Sequence, residues 1–375
     1  MVSTTRRNVV FFVLPALHGG GAERVTLALL RAFQDSYDWH PILVLTTNRK
    51  GLLDDQIPEN TEVIRLDASS GRRAIPKLLK LIRSFEPDIV FASLDHVNAT
   101  LGIIQPLFSS KTSLVLRATS FRSLKSNLMR VLLSWSFRRA NMVVFQSEQM
   151  RLSMVRMLRL PKEHANTVVP NPLDRSKIQS LAATDLDPEA VEFWGLNQFE
   201  SCKRLSSPKL VAAGGVYWAK GFDLLVDAIR ILGREDIRVA ILGQGEQEEE
   251  IRRKIEDAGL QNQIRMFGFQ RNPYAWFARA DGFVLSSRVE GFPNVVLEAL
   301  ACGCPVIGTP MPGLEGLQGC RLSSDISAEA LSKVIGSFLS APHSSETETS
   351  LAPFDVSAVQ KHYEMIFNSL VSKGS

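Results

Sequence analysis

Two glutamates, Glu290 and Glu298, have the spacing that most directly suggests chemistry in this chain. The apolar run at 282–285 ahead of them predicts a short, buried strand of a parallel sheet. Helix-forming residues at 295–300 predict a helix after it, and the glycine and proline in between exclude one continuous helix. Glu290 is therefore expected at the carboxyl end of the strand, and Glu298 about one turn into the helix.

The start of that helix adds a place for an anion. Its first backbone amides have no partners within the helix and point toward the same region as the two carboxylates. Such a region could hold a ligand that is both hydroxylated and anionic, and a nucleotide sugar has that chemistry. One alternative is an ordinary strand–turn–helix with surface acids. Another is the acid and nucleophile pair of a glycoside hydrolase, although both glutamates lie on one strand–helix unit, which favours ligand binding.

The segment 286–299 resembles the glutamate-x7-glutamate signature of retaining, family-4 glycosyltransferases of the GT-B fold. Further matches are Gly-Gly-Ala-Glu at 20–23, Gly-Gln-Gly-Glu at 243–246 and Pro-Val-Ile-Gly-Thr at 305–309. The resemblance covers nearly the whole chain and is strongest from 211 to 310. It implies an α/β protein with two Rossmann-like domains, whose parallel sheets face a central cleft.

The resemblance also implies roles for individual residues. Lys220 would contact the diphosphate of the donor, Glu290 would face the donor sugar, and Glu298 would accept hydrogen bonds from the ribose hydroxyls. The other predicted donor-binding residues are Gly20, Gly21, Gly214, Gly243, Phe269, Gln270, Gly291, Phe292, Pro293, Asn294 and Val295.

One departure from the family pattern concerns the leaving group. The family usually has Gly-Arg-Leu ahead of the lysine, and that arginine also contacts the diphosphate, whereas this chain has Gly214, Gly215 and Val216 there. Loss of one of two cations should weaken leaving-group stabilisation by about 2–4 kcal/mol if nothing replaces it. Arg288 and Arg24 are the candidate replacements.

His96 is a third predicted catalytic residue, with Glu290 and Lys220. It follows the predicted strand 89–92, on the side where related enzymes place residues that contact the acceptor. A structural role as a helix cap is the alternative.

Alternating strand and helix patterns predict parallel sheets with crossover connections. The chain length favours two domains. We expect an acceptor-side domain at 1–175, a connector at 176–208 and a nucleotide-sugar-binding domain at 209–352. A final helix at 353–375 is expected to pack back on the first domain.

The two halves of the chain differ in charge. Residues 1–170 hold 23 Lys and Arg against 13 Asp and Glu, a balance of +10, and residues 171–375 hold 20 against 26, a balance of −6. A basic first half suggests contact with a polyanion or an anionic membrane. We expect no nucleic-acid partner.

The segment from Phe121 to Ala140 predicts a basic amphipathic helix without acids. Such helices lie on anionic membranes or bind pyrophosphate-lipid head groups, and a core-facing helix with a solvated basic face is the alternative. Arg117, just before it, matches an arginine of relatives that use lipid-linked acceptors. The cations of the segment are Arg122, Lys125, Arg130, Arg138 and Arg139.

Three further expectations concern metal, the amino terminus and location. Asp185 and Asp187 match the sequence of a metal-binding Asp-x-Asp motif, but they fall in the connector beside a proline, so we predict no metal and no cofactor.

The apolar run at 9–17 could imitate a signal peptide; a first strand is favoured because a glycine turn follows instead of a cleavage site. No apolar run reaches the 18 or so residues of a membrane span. We therefore expect a cytoplasmic protein that associates peripherally with the inner face of the membrane.

The predicted function is transfer of a sugar, with retention, from a UDP-linked donor to a saccharide or polyprenyl-pyrophosphate-linked acceptor in envelope polysaccharide synthesis. Two alternatives remain open. One is a catalytically weakened relative that only binds nucleotide sugars, suggested by Gly215. The other is a nucleotide-sugar epimerase with the same fold.

Overall fold

The computed structural model describes residues 7–119, 126–196, 207–315, 317–340 and 351–372. The chain forms two compact units. The first contains residues 1–173 together with 352–375, and the second contains residues 174–351.

The strands are short and largely buried, and they alternate with helices. They are β1 (Asn8–Leu14), β2 (Trp39–Thr47), β3 (Glu62–Ala68), β4 (Ile89–Ala92), β5 (Ser113–Arg117), β6 (Met142–Phe145), β7 (Asn166–Val168), β8 (Lys209–Ala213), β9 (Arg238–Leu242), β10 (Ile264–Met266), β11 (Gly282–Leu285), β12 (Val306–Gly308) and β13 (Cys320–Leu322).

The helices include most of those expected from the sequence and several more. They are α1 (Gly21–Gln34), α2 (Gly71–Phe85), α3 (Asp95–Ile104), α4 (Asn127–Arg139), α5 (Glu148–Met157), α6 (Arg175–Ala182), α7 (Pro188–Phe193), α8 (Phe222–Leu232), α9 (Glu248–Asp257), α10 (Tyr274–Phe277), α11 (Asn294–Ala301), α12 (Ala328–Ser340) and α13 (Val356–Val371).

Each unit contains one sheet whose strand pairs are parallel. The order is β3-β2-β1-β4-β5-β6-β7 in the first unit and β10-β9-β8-β11-β12-β13 in the second. Both sheets have the doubly wound order 3-2-1-4-5-6, in which the chain reverses direction of travel beside the first strand. Loops at the carboxyl ends of the strands that flank this reversal diverge and leave a crevice. The predicted α/β class with two Rossmann-like domains is therefore confirmed.

Burial on both faces explains the sequence of the central strands. In β1, residues 10–14 have at most 1% exposure, because apolar side chains cover the sheet on both sides. One face of the first sheet packs against α2 and α4, through residues such as Leu78 and Phe137, and the other packs against α1 and α13. Alternate residues of β1 enter the two layers: Phe11 enters the first, and Phe12 the second.

The last helix, α13, completes the core of the first unit. The Phe367 ring lies 5.7 Å from the Phe33 ring and 5.2 Å from the Trp39 ring, measured between centroids. The indole Nε1 of Trp39 also donates a hydrogen bond to the Asn368 side chain at 3.0 Å. These contacts pack α13 against the face of the first sheet that α1 also covers.

Within the described residues, the helix predicted from Phe121 to Ala140 is α4 (Asn127–Arg139). Helix α4 begins after Ser126, whose backbone is extended and whose hydroxyl accepts a hydrogen bond from Met129 N. A serine in that position marks the start of a helix, because its side chain satisfies a backbone amide that has no partner within the helix. Residues 120–125 lie outside the described part of the chain.

The segment predicted as a connector contains two helices, α6 and α7. Aromatic side chains hold it within the second unit: the Trp194 ring lies 4.9 Å from Trp276, and the Phe193 ring lies 5.4 Å from Phe267. Burial of such large rings favours a packed segment over an exposed linker. Across the described residues, no helix combines the length and apolar character needed to cross a bilayer.

We predict that Phe367→Ala lowers the free energy of unfolding of the first unit by about 3–5 kcal/mol, because it removes a fully buried ring. Met365→Ala is the control, since Met365 lies on the same helix and is 69% exposed; its effect should stay within about 0.5 kcal/mol. Urea unfolding measures both. Equal midpoints for the two variants would contradict the packing described for α13.

Candidate functional site

The second unit brings Lys220 and Glu290 together at its topological switch point. Lys220 follows β8 and Glu290 follows β11, and these two strands flank the reversal in strand order. The Lys220 Nζ lies 2.6 Å from Glu290 Oε1, and the Ser287 hydroxyl donates to the same oxygen at 2.8 Å. Two residues that the sequence assigns to different parts of the donor are therefore in direct contact with each other.

Backbone contacts hold the two loops in place. A Cβ on Gly221 would lie 2.1 Å from Ser286 O, so only glycine permits this approach, and its φ of +64° also favours glycine. The Ser286 hydroxyl donates to Lys220 O at 2.9 Å. Arg288 N donates to Ala219 O at 2.7 Å. The position of the lysine is therefore determined by the loop that carries the glutamate.

The charge of Lys220 depends on neighbouring acids. Burial is the largest single influence and lowers the pKa of this ammonium group, but the charge and hydrogen bond of Glu290 together with the contributions of Tyr217 and Glu298 outweigh it, and the pKa is raised. A raised pKa means that the stabilising contribution of the pair is present at neutral pH and is lost only when the pH rises past the raised value. Lys220 is a cation under any physiological condition.

Glu298 lies in the second turn of α11, close enough to Lys220 to raise the pKa of that lysine. Pro293 occupies the cap position of α11, and no side chain caps this helix. The start of α11 follows the loop of Glu290, which runs through the buried residues Gly291 and Phe292. Two carboxylates, one ammonium group and a helix amino terminus therefore lie around one crevice of the second unit.

Three glycines line the carboxyl ends of the neighbouring strands. A Cβ on Gly243 would lie 1.8 Å from Gly214 O, and Gly243 N donates to Gly268 O at 2.7 Å. The loops after β8, β9 and β10 are thereby joined through their backbones. Phe269 and Gln270 follow the last of these glycines and are half-buried, with the Gln270 amide donating to Phe267 O at 2.8 Å.

Arg288 does not replace the arginine that position 215 lacks. Its guanidinium makes two hydrogen bonds to the Asp223 carboxylate, at 2.7 and 2.6 Å, and a third to Trp218 O. Burial would raise the pKa of Asp223, but the hydrogen bonds and charge of Arg288 lower it. Neither this pair nor Ser287 was predicted from the sequence. Asp223 and Arg288 are 65 positions apart, so only the strand order brings them together.

In the first unit, Gly20 and Gly21 begin α1 beside a carboxylate. A Cβ on Gly20 would lie 2.4 Å from Glu23 Oε2, because the Glu23 side chain folds back over the start of its own helix. Burial raises the pKa of Glu23, although hydrogen bonds from the backbone amides of Glu23 and Gly20 oppose this. The helix start predicted to bind the donor therefore already has a carboxyl group of its own beside it.

His96 lies in the first turn of α3, after β4. Although the residue is exposed, its ring is partly desolvated, and this burial lowers the pKa of the imidazole. His96 is therefore neutral at pH 7. Helix α3 begins after Leu94 and has no side-chain cap, so the structure does not show the capping alternative.

Arg117 is 1% exposed, which does not support the predicted contact with an acceptor. Its guanidinium donates to Asn171 and lies close to the phenol of Tyr363 in α13, and burial lowers the pKa of Arg117. Asn98 donates to the Arg117 carbonyl at 2.9 Å. These contacts tie β5 to the end of the first unit and give Arg117 a structural role.

Three of the predicted membrane-facing cations lie on the exposed surface of α4. They are Arg130, Arg138 and Arg139, while Arg122 and Lys125 fall outside the described residues. Leu133 and Phe137 form the buried face of α4, whereas Leu128 and Val131 are 70% and 64% exposed. Leu128 and Val131 therefore do not belong to the core face of this helix.

Metal binding has no obvious place in the described ranges, where no group of three or more His, Cys, Asp or Glu side chains is arranged to hold an ion. The Cys302 thiol lies near Glu298, and burial with that charge raises its pKa to about 12. A neutral thiol at this position is neither a nucleophile nor a good metal ligand.

We predict that Asp223→Asn lowers the free energy of unfolding of the second unit by about 1–3 kcal/mol at pH 7, because it breaks a charge-assisted bidentate pair. The lowered pKa of Asp223 means that this contribution is present above the ordinary aspartate pKa of about 4 and is lost as the pH falls through the lowered value. Asp236→Asn is the matched control, since Arg234 contacts Asp236 in the same way at the surface; it should cost less than about 1 kcal/mol. Urea unfolding at pH 7 and pH 3 tests both, and a wild-type advantage over Asp223→Asn that persists undiminished at pH 3 would contradict the assignment.

Comparisons with known proteins agree with this arrangement. The model described as "Glycosyltransferase Family 4" matches residues 19–177, and the model described as "Glycosyl transferases group 1" matches residues 207–340. A relative from Campylobacter jejuni, N-acetylgalactosamine-N,N'-diacetylbacillosaminyl-diphospho-undecaprenol 4-alpha-N-acetylgalactosaminyltransferase, is 26% identical over 78% of each chain. The crystal structure of Anabaena HepE with UDP and glucose is similar in fold, with a TM-score of 0.76, 19% identity and coverage of 97% of this chain and 100% of that one. Sucrose-phosphate synthase from Thermosynechococcus elongatus has a TM-score of 0.77 at 16% identity, over 98% of this chain and all of that one. The chain therefore belongs to the family-4 glycosyltransferases and has the GT-B fold.

Proposed function

We propose that this glycosyltransferase moves a sugar, with retention of anomeric configuration, from a UDP-linked donor to a saccharide or lipid-linked saccharide acceptor. The observation that carries the proposal is the buried Lys220–Glu290 pair at the switch point of the second unit. The family membership supports transfer chemistry. The UDP bound to HepE and the undecaprenol-linked acceptor named for the Campylobacter relative support the choice of donor and acceptor.

The cationic and acidic residues of the site would contact different parts of the donor. During transfer, the bond between the anomeric carbon and the diphosphate oxygen breaks, and its electron pair stays on the nucleoside diphosphate. The acceptor oxygen forms the new bond to the anomeric carbon, and its proton passes to the departing diphosphate. Lys220 and the amides at the start of α11 would stabilise the charge on the departing diphosphate. Glu298 would accept hydrogen bonds from the ribose, and Glu290 would face the donor sugar.

The proposal includes chemistry without a divalent metal, since Lys220 and helix-terminal amides would do the work that a metal ion does elsewhere. The alternative is a protein that only binds nucleotide sugars, which Gly215 suggests because it replaces the usual arginine. The pairing of Arg288 with Asp223 supports this alternative. One experiment separates the two: hydrolysis of UDP-sugars and GDP-sugars is measured with and without a chelator. Turnover excludes binding alone, and turnover that disappears with the chelator and returns with metal contradicts the metal-free mechanism.

We predict that Glu298→Gln weakens binding of UDP by about 1–3 kcal/mol, roughly 5- to 150-fold, because it removes the charge from a carboxylate–hydroxyl contact. Isothermal titration calorimetry measures the affinity. Glu249→Gln is the control, since Glu249 is an exposed glutamate on α9 and should leave the affinity unchanged. If both variants bind UDP as the wild type does, Glu298 does not hold the ribose.

In this proposal, the acceptor-binding side of the protein contacts the cytoplasmic face of an anionic membrane. The exposed cations of α4 are Arg130, Arg138 and Arg139, and the exposed Leu128 and Val131 beside them could enter the interface between lipid head groups and acyl chains. Residues 1–170 have a balance of +10, which supports attraction to anionic lipid. Attraction of this kind is peripheral and is screened by salt.

We predict that replacing Arg130, Arg138 and Arg139 by glutamine lowers binding to anionic vesicles about 100-fold, since each cation at the surface contributes about 1 kcal/mol. Donor hydrolysis should stay nearly unchanged, and transfer to a pyrophosphate-lipid acceptor should fall further. The control replaces three exposed cations of α2, which are Arg72, Arg73 and Lys80, and so changes the net charge equally. Vesicle sedimentation measures binding. Equal loss in both triple variants, or equal wild-type binding to neutral and anionic lipid, would contradict a membrane site on α4.

A further inference from the structure

Two adjacent glycines at the end of β8 each lie under a functional side chain. A Cβ on Gly214 would lie 3.2 Å from Lys220 Cε, and a Cβ on Gly215 would lie 2.4 Å from Cε1 and 3.0 Å from Cδ1 of Tyr217. The tyrosine ring therefore lies directly against the backbone at position 215. Any side chain at that position would have to displace the ring.

The backbone between the glycines and the lysine holds Tyr217 in a tight turn. Tyr217 N donates to Gly215 O at 3.0 Å, and Lys220 N donates to Tyr217 O at 2.9 Å. The Tyr217 residue is half-buried. Its ring has two rotatable bonds and packs on a backbone that two hydrogen bonds hold, so little conformational entropy remains to be lost when it contacts a ligand.

The phenol of Tyr217 lies within electrostatic reach of the Lys220 ammonium group. Among the groups that set the pKa of this lysine, burial comes first and lowers it, Glu290 comes next and raises it, and Tyr217 follows Glu290 in the same direction. The phenol and the ammonium group therefore share one side of the crevice. A phenol O–H is a hydrogen-bond donor to anions.

We propose that the Tyr217 hydroxyl is a further ligand-contacting group, which donates a hydrogen bond to the diphosphate that Lys220 holds. The inference rests on the proposed function and adds a donor that neither the motif nor the comparisons assign. Tyr217 keeps its proton, and no bond to it is made or broken other than this hydrogen bond. Because negative charge grows on the diphosphate as the sugar leaves, the hydrogen bond strengthens toward the transition state.

Gly215 has a second role in this arrangement. This chain has no cation at position 215, and Arg288 is engaged by Asp223. The absence of a side chain at position 215 is what permits the ring of Tyr217 to lie there. A neutral donor beside Lys220 thus occupies the space that a side chain at 215 would take.

The first test is Tyr217→Phe, which keeps the ring against Gly215 and removes only the hydroxyl. We expect kcat for the UDP-sugar substrate to fall roughly 10- to 100-fold, as for a hydrogen bond to a charged group, and KM to change less than kcat. Tyr37→Phe is the control, because Tyr37 is 90% exposed in the first unit and should behave as the wild type. Urea midpoints equal to the wild-type value establish that both variants fold. A wild-type kcat in Tyr217→Phe overturns the inference.

The second test is a double-mutant cycle between positions 215 and 217. Gly215→Ala should lower kcat about as much as Tyr217→Phe, because its Cβ must displace the ring. In a Tyr217→Ala background, the same alanine should cost less than 3-fold in kcat, since the obstacle has gone. A loss from Gly215→Ala that is the same in both backgrounds, or no loss in either, overturns the proposed role of the ring position.

The two proposals fail in different ways. If the wild type turns over no UDP-sugar or GDP-sugar and binds neither nucleotide, the proposed function fails, and the role of Tyr217 fails with it. If the wild type is active, Lys220→Ala is inactive and Tyr217→Phe is fully active, only the inference about Tyr217 fails.

Discussion

The ion pair between Lys220 and Glu290 is the contact on which the candidate site depends. An ammonium group with 15% side-chain exposure would lose its charge or its position without a compensating acid nearby. The partner acid is held in turn by Ser287, and the loops of both residues are joined by backbone contacts such as that between Gly221 and Ser286. Charge and loop geometry are therefore coupled: a change that moves one loop leaves a buried charge without its partner, and this costs more than the pair itself contributes.

The topology explains why these residues meet. In the second sheet, β8 lies between β9 and β11, so the loops that leave β8 and β11 diverge at the carboxyl edge and leave room for a ligand. Close backbone approach at Gly214 and Gly243 brings the loop after β9 to the same edge. The sheet in the first unit has the same order, and there His96 and the glycines before α1 follow the two flanking strands, β4 and β1. In both units, therefore, the candidate residues follow the two strands that flank the reversal in strand order.

The sequence predicted the parts of this architecture that local patterns determine. Apolar runs indicated β1 and β11, because a run of apolar residues bounded by glycine or proline is a local signal. The short strands β7 and β13 were missed, since each has three residues of which none is fully buried. The start of α4 at Asn127 was not predicted, because Ser126 had no distinct signal among other serines. The burial of Arg117, the pairing of Arg288 with Asp223 and the position of the Tyr217 ring depend on residues brought together by the tertiary fold, and no local pattern contains them.

Long-range electrostatics and local geometry oppose each other at the candidate donor site. Residues 171–375 carry a balance of −6, so their overall field repels an anionic nucleotide, and a field of this kind is screened within about 8–10 Å at physiological salt. Attraction must therefore come from groups in direct contact with the ligand. Arg288 is engaged by Asp223, which leaves Lys220, the amides at the start of α11 and, in our proposal, the Tyr217 hydroxyl as donors to the ligand. A site built in this way gains little from general attraction, and its affinity and its selectivity for a diphosphate both depend on the positions of these few donors.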